Sequence, residues 1–404
     1  MGNIVITKGQ NGLGRKAPSK DMVSAIMFGG VLATGLALNT TSSKLSRKED
    51  AENLGINEAY DTTNKVLVYH HISEFFKRNP NGELYIRITA QGTSMTDMCD
   101  KTKTHLKTLL QDVGGDVRQA GVVLNPLASY TATLAGGLDA DVLGAIPKAQ
   151  ALAEGELDLK RPLQIVLEGR SFNGPVGPAT DLRSLNAENV HVTIMADNSI
   201  AGSQTIHSGY AALGVTLGTI SSAEVNESIG WTNKFDLIDR ENGLYLDPYL
   251  SSGAKASTVE ADYQALTDKG FIFARNYVGQ SGTYFDAFPT CKNITSDYAW
   301  GQEQRVIQKA IRLTYDALFP MINSPIKIDS TTGAMDVGTA KTFEQEAESG
   351  LNVMVSQSQV SGISAFVDVN QDVQATGTVV VVIKIVSIAT GRVIEIKLGF
   401  AKQI

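Results

Sequence analysis

Residues 378–404 constrain the fold more than any other stretch. The run Thr378-Val-Val-Val-Val-Ile-Lys-Ile-Val-Ser-Ile388 is β-branched almost throughout. After Ala389-Thr390-Gly391 a second run sets Ile394, Ile396, Leu398 and Phe400 against Glu395 and Lys397. Two such runs around a Gly-containing break predict a terminal hairpin. A hairpin of this kind enters the subunit's own sheet or leaves an open edge that templates pairing with another chain. The chain therefore reads as built to join copies of itself, with Val379, Val381, Ile383, Ile385, Ile394, Ile396 and Leu398 at the joint.

Length and composition narrow the class. At 404 residues the chain has room for two or three domains with real cores, and 43% hydrophobic with 19% charged residues is a globular balance. A net charge of −7 argues against a protein that grips phosphate backbones, so no direct nucleic-acid partner is expected. Cys99 and Cys291 lack a neighbouring thiol at metal-ligand spacing and read as free thiols of a reducing compartment. The apolar stretch 23–38 is short and glycine-interrupted, so neither membrane insertion nor a signal peptide is expected.

The N-terminus holds a short β-branched run, Ile4-Val5-Ile6, followed by Gly9, Gly12, Gly14 and Pro18, which reads as an extended arm with a glycine hinge. A strand is expected over 23–29, and a helix where Val68, Ile72, Phe75 and Phe76 share one face, stopped by Pro80-Asn81-Gly82. Strands at 84–88, 120–124, 163–167 and 192–196 then alternate with helices near 97–110 and 138–153. That alternation predicts an α/β layer with a largely parallel sheet. Further on come a strand at 271–275, helices over 302–318 and 339–357, and an extended stretch 360–369, giving an α+β C-terminal domain. The expected organisation is an N-terminal arm (1–22), an α/β domain (23–230), an α+β domain (231–377) and a C-terminal β-hairpin arm (378–404).

The order of these pieces resembles the contractile tail sheath proteins of phages and related injection systems. Three places carry the resemblance: Ile72-Ser-Glu-Phe-Phe-Lys-Arg-Asn-Pro-Asn-Gly-Glu-Leu-Tyr-Ile-Arg87, the helix Gln304-Arg305-Val-Ile-Gln-Lys-Ala-Ile311, and Phe366-Val-Asp-Val-Asn-Gln-Asp372 followed by the terminal runs. The chain departs from the long-tailed phage pattern at Asn81-Gly82 and at Phe273-Ala-Arg275-Asn, and so looks like a shorter, divergent branch. The resemblance implies a self-assembling helical tube around an inner tail tube, with baseplate and tail terminator proteins as further partners. In it the N-terminal arm (Ile4, Val5, Ile6, hinged at Gly12 and Gly14) and the C-terminal arm join neighbouring subunits by strand addition. It implies a virion tail assembled in a host cytoplasm, with a bacterial injection system or bacteriocin particle as the alternative setting.

Chemical sites are sparse. Gly9-x-x-Gly12-x-Gly14 lacks the Lys-Ser/Thr pair of a phosphate loop, and adjacent His70 and His71 diverge by about 100° on a helix. No cofactor, metal or catalytic residue is expected. The competing enzyme reading, an α/β hydrolase-like site at strand C-termini, would use Asp197, Ser203 and His207 without a nucleophile elbow. Glu344, Glu346 and Glu348 read as a solvated helix face or, alternatively, as the lining of a groove facing the inner tube.

Overall fold

A computed structural model describes residues 20–40 and 42–396. Its centre is a seven-stranded sheet of β1 (Val23–Gly30), β2 (Ser43–Leu45), β3 (Glu83–Ala90), β4 (Gln119–Val123), β5 (Gln164–Glu168), β6 (Val190–Thr193) and β7 (Phe271–Ile272). The spatial order is β7-β6-β5-β4-β1-β3-β2, parallel throughout except for β2 at one edge. The first strand lies inside the sheet and all eight of its residues are buried. Its alternate side chains seed the two layers. Ile26 and Phe28 join the cluster with α1 (Val68–Arg78), while Ala25 and Met27 join the one with α2 (Ala140–Asp158).

Most expected strands and helices appear, with instructive differences. The helix expected over 97–110 is two short helices, Met95–Cys99 and Leu106–Asp112. Asp100 leaves helical geometry at ψ 117° and its carboxylate accepts the Thr102 N–H, which breaks the run. A helix not expected from the sequence, α3 (Leu213–Ser222), packs closely on α1. A Cβ at Gly214 would lie 2.3 Å from the His71 carbonyl oxygen, and one at Gly218 2.7 Å from that of Phe75. The glycines that weaken the helix signal are what let the two helices touch.

The expected break at residue 230 is not where the sheet ends. Strand β7 extends the sheet beside β6, and Phe235, Leu237, Leu244, Tyr245 and Phe288 complete the layer under α1. Loop-rich sequence of low periodicity concealed this packing, because these apolar residues are fixed by tertiary contacts and not by a helical or strand repeat.

The C-terminal part consists of α4 (Gly301–Leu318), α5 (Val337–Ser356), β8 (Val360–Phe366) and β9 (Val382–Ser387). Its small cores gather Val306, Ala310, Leu351, Met354 and Val360, and then Ala340, Phe343, Val367 and Val373. The first half of α4 meets the α/β domain through a buried polar stripe. Gln304 and Gln308 donate to the Asn189 side-chain oxygen at 2.6 and 2.8 Å, and Arg305 donates to the Ala223 and Glu224 carbonyls. Lys309 and Arg312 clasp Asp21 at 2.5 and 2.9 Å.

Candidate functional site: an open strand edge in the C-terminal domain

Strand β9 pairs antiparallel with β8, from Phe366 opposite Val382 to Val360 opposite Ser387. This corrects the expected terminal hairpin. The first β-branched run belongs to the subunit's own two-stranded sheet, and residues 388–396 form no strand among the described residues. The reason is a tertiary contact. Arg392 lies over the Trp300 ring, 3.6 Å from its centroid, and reaches Glu303 at 3.6 Å, so the chain after β9 is held against the start of α4. Arg183 sits over the same ring at 4.7 Å.

The faces of this sheet sort the expected joint residues into two groups. Ile383 and Ile385 are half-buried against the core of α4 and α5, and Val379 and Val381 pack on the second C-terminal cluster. These four act first within their own chain. The opposite face, with Ser364, Phe366, Val382, Lys384 and Val386, is exposed. Beyond it Ile394 and Ile396 are 83% and 72% exposed, the only described part of the second run that the joint assignment named. Ile4, Val5, Ile6, Gly12, Gly14 and Leu398 lie outside the described residues.

The two edges of the sheet differ. Helix α5 runs along β8, where Glu348 accepts the Ala365 N–H and Glu344 the Val367 N–H, each at 2.9 Å. Lys341 pairs with Glu344, and that ammonium with the Val367 N–H holds the carboxyl below its ordinary range. The reading of Glu344 and Glu348 as a solvated face is thus overturned: spaced i, i+4, they serve the backbone of the neighbouring strand, while Glu346 is exposed. Ahead of β9, the Gln371 amide stands in for a strand partner, accepting the Val380 N–H at 2.7 Å and donating to its carbonyl at 3.4 Å. Because Ala365 N–H faces away from β9, alternation turns its opposite residue Ile383, and with it Val381 and Ile385, outward on the far edge. No partner for those three N–H groups occurs among the described residues.

The residues of the enzyme reading serve structure. Asp197 caps the helix Asn198–Ala201 through the Ser199 N–H and also accepts the Tyr245 N–H; the Ser203 hydroxyl donates to Ile200. No hydrogen bond joins Asp197, Ser203 and His207 among the described residues. A cavity of about 350 Å³ beyond β4 and β5 is lined by Lys65, Tyr130, Arg170, Ser171, Thr205 and Ser208, with the Arg170 head tied to Glu168 and the Leu124 carbonyl. Among the described residues its lining holds no histidine or carboxylate. Cys99 and Cys291 are buried, and burial raises both thiols, Cys291 to about 12. Among the described residues no helix is long and apolar enough to cross a membrane.

As a whole the fold is similar to that of solved sheath proteins. The chain is similar to the helical sheath of the anti-feeding prophage in its contracted state, at 13% identity and a TM-score of 0.61 over 100% of this chain and 99% of that one. It is likewise similar to the contracted sheath complex of PVC, an extracellular contractile injection system (11%, 0.60, 100% and 98%). A sheath tail protein from Desulfitobacterium hafniense matches at 11% and 0.51 over 96% and 100%. The chain belongs to the DUF2586 family, whose N-terminal domain matches residues 1–287 and whose C-terminal domain matches residues 297–404. Comparison with curated proteins gave no match.

Proposed function

We propose that this protein is the structural subunit of a contractile sheath, assembling with copies of itself into a helical tube around an inner tail tube and catalysing nothing. The observation that carries the reading is the unfinished C-terminal sheet. Two strands alone make a marginal unit, and this pair leaves Ile383 and Ile385 half-covered beside backbone groups that meet no partner among the described residues. An added strand from a neighbour covers both. An arm contributing about ten main-chain hydrogen bonds at about 0.5–1.5 kcal/mol each would link subunits by several kcal/mol, enough to hold while weaker surface contacts exchange. Head-to-tail contacts of that kind do not close on themselves and so build a filament.

In this reading the arms are residues 1–22 and the segment after β9, and the domain division falls between 287 and 301. Baseplate and terminator proteins meet the ends of the tube, and the particle is a phage tail or a bacterial injection system. Contraction exchanges one subunit packing for another while the arm linkages persist. Negative-stain microscopy of the purified protein is the test: tubes or stacked rings are expected, and discrete particles at every concentration would overturn the reading.

A further inference from the structure

The cavity beyond β4 and β5 lies where the connectivity of the central sheet reverses. From β1 the chain crosses to β3 on one side and then returns to β4 on the other. Helix α1, on the first crossover, and α2, which follows β4, cover opposite faces. The loops leaving β1 and β4 therefore diverge, and the crevice outside the carboxyl ends of the strands at such a reversal is where open α/β sheets take ligands. Both walls are tied down. The buried Asn125, just past β4, donates to the Gly29 carbonyl at 2.7 Å and accepts the Leu67 N–H at 2.9 Å, which holds the segment of Lys65 against the loop that carries Tyr130. Across the cavity the Ser171 N–H donates to the Gly209 carbonyl at 3.0 Å. A Cβ at Gly209 would lie 2.3 Å from the Ser171 hydroxyl, so glycine lets the 204–209 turn close on the end of β5.

We propose that this cavity binds a small phosphate-bearing molecule, with Arg170, Lys65 and the hydroxyls of Ser171, Thr205 and Ser208 as the donors to its phosphate. Arg170 is 4% exposed, and its Nη1 is engaged with Glu168 at 2.9 Å and the Leu124 carbonyl at 3.2 Å. Its Nε and Nη2 make no hydrogen bond among the described residues, donor capacity that an anion with several oxygens fills. Lys65, exposed on the other wall, enters no ion pair among the described residues, and the three hydroxyls make no hydrogen bond there either. Two carboxylates stand behind the wall without lining it. Glu168 takes the Leu124 and Ala211 N–H groups as well as Arg170, and Asp139 takes the Asp141 N–H and the Tyr130 hydroxyl. Their oxygens are spent on those donors, which leaves cations and hydroxyls as the charged and polar lining. Lys65 and Ser171 also hold positive φ, 55° and 54°, a backbone cost that non-glycine residues bear most often at ligand sites. The volume, about 350 Å³, falls within the range of small-molecule sites, roughly 300–1,000 Å³, and Leu127 and Ile206 offer apolar cover to the part of the ligand beyond its phosphate.

Isothermal titration calorimetry of the full-length protein with inorganic phosphate and with phenyl phosphate tests the site, with phenol and with chloride at matched ionic strength as controls. Saturable one-to-one binding of both phosphates is expected, and of neither control. Lys65→Gln should weaken both phosphates about tenfold, the scale of one hydrogen bond to a charged group. Lys160→Gln, which removes an exposed lysine with the same left-handed backbone (φ 64°) elsewhere on the chain, should leave both unchanged. Ser208→Ala should weaken both as well; Lys65 and Ser208 are exposed, so both variants keep the fold. Absence of phosphate binding, binding that phenol or chloride reproduces, binding that Lys65→Gln leaves intact, or an equal loss in Lys160→Gln each overturns the assignment. None of these results bears on tube formation, so the sheath reading stands or falls separately.

Discussion

His71 shows how a single residue can be committed to one protonation state. Its Nδ1 accepts the Gly214 N–H at 3.1 Å, so a proton there would break the contact between α1 and α3. Burial, with His70, Arg170 and His207 adding to it, pushes the imidazole well below its ordinary range. Its folded-state pKa lies below the unfolded value near 6.5, so the unfolded chain binds the proton first and stability falls as the pH drops below about 6.5. The loss is at most about 1.4 kcal/mol per pH unit for this group. Against a His71→Phe variant, wild-type protein should be the more stable at pH 8, with the difference shrinking as pH falls from 6.5 towards 5 in denaturant titrations. A difference that stays constant with pH would show that His71 is not held neutral. The sequence marked the pair His70-His71 but not this role, because the partner is a backbone group 143 residues away.

At the level of elements, the two terminal runs that look alike in sequence do different work. Strand β9 completes its own domain, and Val379 and Val381 fill its second core. A truncation lacking residues 391–404 should therefore keep the fold and lose assembly. One lacking residues 378–404 should also unfold the C-terminal domain, since burying residues such as Leu351 and Met354 is worth about 1.5–3 kcal/mol each. Circular dichroism with sedimentation separates the outcomes: unchanged melting with no tubes for the shorter cut, and a lost or earlier transition for the longer one. Equal melting of the two proteins would return β9 to the arm. The β-branched run was readable as a strand from composition alone. Its pairing was not: the extended stretch 360–369 was expected, but the run was expected to pair with 394–400, and β8, with Ser361, Gly362 and Ser364, carries too few strand formers to mark it as the partner.

Across the whole molecule the two domains are fastened by polar groups. Asp21, just after the N-terminal segment, is held by Lys309 and Arg312 of α4, so the root of that segment and the C-terminal domain share one buried carboxylate. Arg312 is lowered to about 9, chiefly by burial and by Arg118, which makes the compensating carboxylate matter more. Replacing Asp21→Asn should weaken docking by about 2 kcal/mol, the scale of a hydrogen bond to a charged group. The result would be a separate, earlier unfolding step and faster proteolysis between residues 288 and 300. One cooperative transition, as in the wild type, would show that the remaining seam contacts, those of Gln304, Arg305 and Gln308 among them, suffice without Asp21.

What the sequence by itself determined was local. Alternating periods of 3.6 and 2 marked α1, α2, α5 and strands β1 to β6 apart from the short β2, and β-branched density marked β9, because these signals arise from residues a few positions apart. The tertiary structure alone decided where each element goes. Phe271 and Ile272 join the central sheet, Gln304, Gln308 and Lys309 become buried polar contacts, Glu344 and Glu348 turn to a strand edge, and Arg392 draws the second run away from the first. Each depends on a partner tens to hundreds of residues distant. A charged or amide side chain looks solvated in sequence until the fold supplies the group that satisfies it.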